Sequence, residues 1–92
     1  MQRPGQTANL VALLARVAKQ DRSAFSELYQ ATSAKLYGVV WRILPAKDRA
    51  EDVLQDVYVR IWNRASSFDA SKASPIAWMA TIARNRAIDE VR

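Results

Sequence analysis

In the stretch AEDVLQDVYVRIW, Ala50 to Trp62, the polar residues Asp52, Gln55 and Asp56 recur at three-residue and single-residue steps, and Val59 follows. At helical spacing all four fall on one side of a helix. Two carboxylates and an amide around a valine are not a catalytic apparatus. An apolar centre with a polar rim and an aromatic at its margin, here Trp62, has instead the makeup of a docking surface. The other reading is a solvated helix face, since single exposed apolar residues are ordinary. A second set lies nearer the C-terminus. Arg84, Asn85 and Arg86, together with Lys72, are donors suited to phosphates and base edges; alternatively Asp89 pairs with Arg86 or Arg92 and the rest are solvated. The intervening loop SSFDASKAS supplies Ser66, Ser67 and Asp69 for hydrogen bonds and Phe68 for an aromatic contact. That kit suits an unstacked base, or Phe68 simply anchors an inert loop.

Composition narrows the function classes. The 92 residues include no cysteine and no histidine, which removes thiol chemistry, disulfides, the usual zinc sites and the commonest general base. Only carboxylate-held magnesium chemistry is left to an enzyme, so a non-enzymatic role without cofactor or metal is expected. The net charge of +5 favours polyanionic partners. Its distribution is uneven: Asp48, Glu51, Asp52 and Asp56 crowd one segment, whereas Arg60, Arg64, Lys72, Arg84, Arg86 and Arg92 make the second half basic. Two surfaces of opposite sign suggest two partners. The polar start MQRPGQTAN lacks the apolar core of a signal peptide, and no apolar run is long enough for a membrane span, so a cytoplasmic protein without membrane insertion is expected.

The elements that must position these residues are helices, because glycine and proline are few and apolar residues recur at three- and four-residue steps. The pattern predicts an all-α fold, a compact bundle of about four helices, in a single domain over 8–92 behind a flexible N-terminus at 1–7. The first helix spans Ala8 to Lys19 on Leu10, Leu13, Leu14 and Val17, and Asp21 or Ser23 caps the next. The second runs from Ala24 to Leu44, burying a stripe of Phe25, Leu28, Tyr29, Thr32, Leu36, Val39, Val40 and Ile43, and ends at Pro45. Asp48 and Glu51 have the spacing of a capping box that opens a third helix reaching about Ala65. On a wheel of about 100° per residue, Ala50, Leu54, Val57, Tyr58, Ile61 and Ala65 face the core with Val53 and Trp62 flanking, while Asp52, Gln55, Asp56, Val59 and Asn63 lie opposite. Ser74 and Pro75 open a fourth helix that runs to the chain end. Its face of small residues is Ile76, Ala80, Ala83, Ala87 and Val91, with Trp78 and Ile82 pointing elsewhere.

The succession DRSAFSELYQATSAKLYGVVWRIL, AEDVLQDVYVRIW and SPIAWMATIARNRAIDEVR resembles region 2 of the extracytoplasmic-function (ECF) group of bacterial sigma factors. The resemblance implies a transcription initiation role. By it, AEDVLQDVYVRIW matches region 2.2, which binds the β′-subunit clamp helices of core RNA polymerase, and Asp52, Gln55, Asp56 and Trp62 would carry that contact with Val59 beside them. The loop holding Ser66, Ser67, Phe68, Asp69 and Lys72 would hold a base flipped from the non-template strand of the promoter −10 element. Asn85 would touch that base, with Arg84 and Arg86 nearer the phosphates. Primary sigma factors carry an aromatic wedge pair on the last helix; alignment places it at Met79 and Ala80 or at Trp78 and Met79, an incomplete pair, which implies base capture rather than strong wedge-driven melting. The family also implies an anti-sigma factor as partner and a region 4 helix-turn-helix domain that this chain does not include; a monomer is expected because an adaptor with two surfaces needs no self-association. The competing classes are a generic basic helical DNA-binding module in which the acidic helix is idle, and a domain that acts chiefly as the target of an anti-sigma factor.

Overall fold

The computed structural model describes residues 4–92. Four α-helices follow one another: α1 (Pro4–Ala18), α2 (Arg22–Ile43), α3 (Lys47–Arg64) and α4 (Pro75–Val91), with a short 3-10 turn, Ala65–Ser67, closing α3. The expected all-α bundle is therefore what forms. α1 begins four residues before the expected Ala8, with Pro4 in the first turn, where a missing N–H costs nothing. Residues 4–7 of the expected flexible N-terminus are thus helical, and residues 1–3 lie outside the described part.

α2 packs against each of the other three helices, and α3 packs on α4. The core stripe of α2 is narrower than expected: Ala24, Leu28, Thr32, Leu36 and Val40 are buried at strict four-residue intervals. Tyr29, counted in the expected stripe, is 43% exposed, and Phe25, Val39 and Ile43 only flank the core. Leu10, Leu14 and Val17 of α1, Val57 and Ile61 of α3, and Met79, Ala83 and Ala87 of α4 complete it. Each fully buried leucine contributes about 1.5–3 kcal/mol.

The corners are built from local hydrogen bonds. α1 ends with Gln20 in the left-handed region at φ 69°, its N–H donating to the Val17 carbonyl, while the Asp21 N–H donates to that of Arg16. This is a Schellman closure with glutamine in the place usually held by glycine. Asp21 then caps α2, accepting from the Ala24 N–H at 3.1 Å and from Arg16 Nε at 3.0 Å. Of the two expected caps, Asp21 serves.

Two further expectations need correction. The capping box at Asp48 and Glu51 does not form: α3 starts at Lys47, its N-cap is Ala46 without a side-chain bond, and Asp48 already lies in the first turn. Buried Leu44, followed directly by Pro45, keeps the turn short, with the Ala46 N–H bonded to the Leu44 carbonyl, so the helix begins before Asp48 can cap it. Asp48 still complements the positive helix end. The buried face of α4 is Pro75, Met79, Ile82, Ala83 and Ala87, which keeps Ala83 and Ala87 of the small-residue face and adds Met79 and Ile82. Val91 is exposed, and Ile76 and Ala80 are partly buried. Met79 and Ile82 draw the buried face to their side of the helix, because larger apolar side chains release more free energy on burial than alanines. The Ser74 cap and Pro75 start are as expected, with Ser74 Oγ accepting from the Ala77 N–H.

Candidate functional site

α3 carries both charge surfaces on one rod. Its buried side, Ala50, Val53, Leu54, Val57, Tyr58 and Ile61, fixes its rotation in the bundle. Asp52, Gln55, Asp56 and Val59 are consequently all exposed, Val59 to 56%. The four residues the sequence singles out thus share one solvent-facing surface. Trp62 sits at its edge, half-buried, with its ring edge-on to Phe25 at 5.1 Å between centroids. Rotation of α3 is further fixed by the Tyr58 hydroxyl, 2.6 Å from Thr32 Oγ1, which itself donates to the Leu28 carbonyl at 2.7 Å. Burial is the main reason the Tyr58 pKa rises, to about 12.

Arg86 and Asp56 meet on the side of α3 that faces α4. Arg86 Nε donates to Asp56 Oδ2 at 2.7 Å, and Arg86 Nη1 lies 3.1 Å from Glu90 Oε1, one turn further along α4. Arg49 reaches back from α3 to Glu90, its Nη2 3.5 Å from Oε2 and donating to the Glu90 carbonyl at 3.2 Å. The chain Asp56, Arg86, Glu90, Arg49 crosses between α3 and α4 twice. The hydrogen bond to Asp56 is the largest of the influences that raise the Arg86 pKa. Partly exposed pairs of this kind contribute about 0–1 kcal/mol to stability, so the core and not the ion pairs holds the two helices together. The sequence places Arg86 near phosphates, with Asp89 as its alternative partner; the structure turns it to Asp56 and Glu90 instead.

At the other end of α3, a hollow of about 290 Å³ opens between it and α4, lined by Arg60, Arg64, Ala73, Ala77, Trp78, Thr81, Ile82 and Asn85. Asn85 is the one expected DNA-facing residue in this lining. Arg60 and Arg64 belong to the basic half of the sequence but are not marked there as a site; one turn apart on α3, they face the same space as Asn85, which the helix wheel of α4 alone does not reveal. Phe68 and Ser66 face a different hollow, against Leu14 and Ala18 of α1. Phe68 is half-buried, edge-on to Trp78 at 5.4 Å, and so anchors the loop. Asp69 organises that loop: its Oδ1 accepts from Ser71 N–H at 2.9 Å and from Ser71 Oγ at 2.6 Å, bonds that hold the Asp69 pKa below the usual carboxylate value. Ser67 Oγ donates to the Arg64 carbonyl. Lys72 and Arg84 are exposed and uncommitted to any ion pair among the described residues. Met79, a position considered for a wedge, is fully buried and cannot reach DNA, and Ala80 is partly buried.

Among the described residues no cluster of acidic side chains is arranged to hold a metal ion, and no helix is long and apolar enough to cross a membrane.

The sequence that folds into this bundle of four helices matches a known family. The family model for sigma-70 region 2 matches residues 28–92, and the chain belongs to that family. It is similar to the proteins named ECF RNA polymerase sigma factor SigK from Mycobacterium ulcerans (strain Agy99), 42% identical over 89 residues, and from Mycobacterium tuberculosis (strain ATCC 25618 / H37Rv), 43% identical over the same length. Each match covers 97% of this chain and 48% of the relative, so the chain spans about half the length of these curated relatives. The ECF resemblance read from the sequence agrees with these names.

Proposed function

We propose that this chain is the part of a sigma factor that joins core RNA polymerase to the promoter −10 element. The surface of Asp52, Gln55, Asp56 and Val59, with Trp62 at its edge, docks on the β′ clamp helices. Its carboxylates meet cationic groups of the partner, and Val59 gives the contact an apolar centre. The hollow beside Asn85 receives a base of the non-template strand once it leaves the stack, and Arg60, Arg64, Arg84 and Lys72 balance the phosphates on either side. Trp78 forms the apolar wall. Binding energy of the captured base offsets the few kcal/mol of unstacking, and no wedge residue is required.

The observation that carries this reading is the change of sign along α3, acidic at Asp52 and Asp56 and basic at Arg60 and Arg64, on a helix whose rotation the core fixes. A single rigid rod with two such surfaces suits an adaptor between a protein and a nucleic acid. The test compares the wild-type domain with an Asp52→Ala/Asp56→Ala variant of equal helicity, against a purified β′ clamp-helix fragment and a single-stranded −10 oligonucleotide. Loss of fragment binding with DNA binding retained is expected. Equal fragment binding by the two proteins would leave a generic basic helical module.

A further inference from the structure

The pairing of Arg86 with Asp56 bears on how the acidic face is presented, and its significance rests on the proposed docking role of that face. Asp56 is exposed, on a helix face where a carboxylate ordinarily samples several rotamers. Here Oδ2 is engaged by Arg86 Nε at 2.7 Å. No other contact among the described residues engages Oδ1, which is left to accept from an incoming donor. Arg86 is itself held: its side chain is only 20% exposed, and Glu90 takes Nη1, while Arg49 fixes Glu90 from the neighbouring helix. A guanidinium clamped between two carboxylates is both neutralised and turned away from the Asn85 hollow, whose lining does not include it.

We propose that Arg86 is a positioning residue for the polymerase-docking face, holding Asp56 in one orientation with Oδ1 free, and that it takes no phosphate. Ordering an interface side chain in advance lowers the cost of association. The fork matters as well as the charge, since one guanidinium bonds Asp56 and Glu90 through different nitrogens, which a lysine ammonium does only as a point charge. Three roles make different predictions. A positioning Arg86 strengthens docking and leaves DNA binding alone. An Arg86 that merely occupies Asp56 competes with the partner, so its removal would tighten docking. A phosphate-binding Arg86 would contribute to the salt dependence of DNA binding.

The experiment measures Arg86→Gln and Arg86→Lys, each in the wild-type and Asp56→Ala backgrounds, with circular dichroism as the check on folding. Affinity for the β′ clamp-helix fragment and the salt dependence of binding to single-stranded −10 DNA are read for each. Arg86→Gln is expected to weaken fragment binding roughly two- to tenfold, as for one released side chain, with Arg86→Lys between it and wild type. In the Asp56→Ala background, which has no side-chain oxygen left to position, the Arg86 substitutions should have no further effect, which a general loosening of the α3 and α4 contact would not reproduce. The slope of DNA affinity against salt should be unchanged. Tighter or equal fragment binding by Arg86→Gln, or a shallower salt slope, would overturn the positioning role while leaving the docking surface intact. Failure of the wild-type domain to bind the fragment would overturn the docking role, and the positioning role with it.

Discussion

The hydroxyl of Tyr58 lies 2.6 Å from Thr32 Oγ1 inside the core, joining the middle of α3 to the middle of α2 across 26 residues of chain. Thr32 donates onward to the Leu28 carbonyl, so Tyr58 is the donor of the pair. The two substitutions that break this bond are not equivalent. Tyr58→Phe removes a donor and leaves Thr32 still bonded to Leu28, at a cost of about 0.5–1.5 kcal/mol. Thr32→Val leaves the Tyr58 hydroxyl buried without an acceptor, a penalty of about 1–3 kcal/mol. Urea unfolding of both variants is expected to rank Thr32→Val as the less stable.

The same pair sets a limit at high pH. Tyr58 ionises near 10 when unfolded and at about 12 in the fold, because burial disfavours the phenolate. Its contribution is complete below pH 10 and declines as pH rises toward 12. Denaturation midpoints recorded across that range should fall more for wild type than for Tyr58→Phe.

Asp21 acts at the opposite end of the scale. Its pKa is held below the usual aspartate value, first by the Ala24 N–H and then by Arg16. A depressed carboxylate contributes above its unfolded pKa of about 3.8 and loses the contribution as pH falls through the folded value. Asp21→Ala should be less stable than wild type at neutral pH, and the two unfolding curves should converge in strong acid.

Gly38 lies on the exposed side of α2, and a Cβ built there meets nothing within 4 Å. Gly38→Ala should therefore stabilise the domain by about 0.8–1 kcal/mol through helix propensity. Thermal unfolding would show a raised midpoint, with no change in DNA or polymerase binding.

In the basic hollow, Asn85 and Arg64 should behave differently. Asn85→Ala should cost about 1–3 kcal/mol on the preferred −10 strand and relax base preference there. Arg64→Gln should weaken all strands alike and reduce the salt slope by about 0.7. Fluorescence anisotropy with matched and scrambled oligonucleotides at several salt concentrations separates the two.

The acidic face is legible in the sequence because one amphipathic helix with a well-defined buried stripe fixes which residues point outward: Leu54, Val57, Tyr58 and Ile61 in, Asp52, Gln55, Asp56 and Val59 out. The hollow is harder to read, since its walls come from two helices and depend on the rotation of α4. The stripe of small residues marks Ala83 and Ala87 correctly but does not show that Met79 and Ile82 share their buried face. For the same reason Arg60 and Arg64 read from the sequence only as members of a basic half, and the engagement of Arg86 by Asp56, 30 residues away, is a tertiary contact that no local spacing announces. The loop lies between these cases. Its Asp69 and Ser71 have the spacing of a side-chain-closed turn, a local signal open to a structural reading.

Val59 gives the most direct access to the central claim, because it lies amid Asp52, Gln55 and Asp56, is 56% exposed, and contributes nothing to the core. A photo-crosslinking amino acid placed at Val59 and irradiated with bacterial core RNA polymerase should attach to the β′ clamp helices, and the adduct should fade when Asp52 is also replaced by alanine. Attachment to promoter DNA, or no β′ adduct under conditions where the protein binds DNA, would contradict the account.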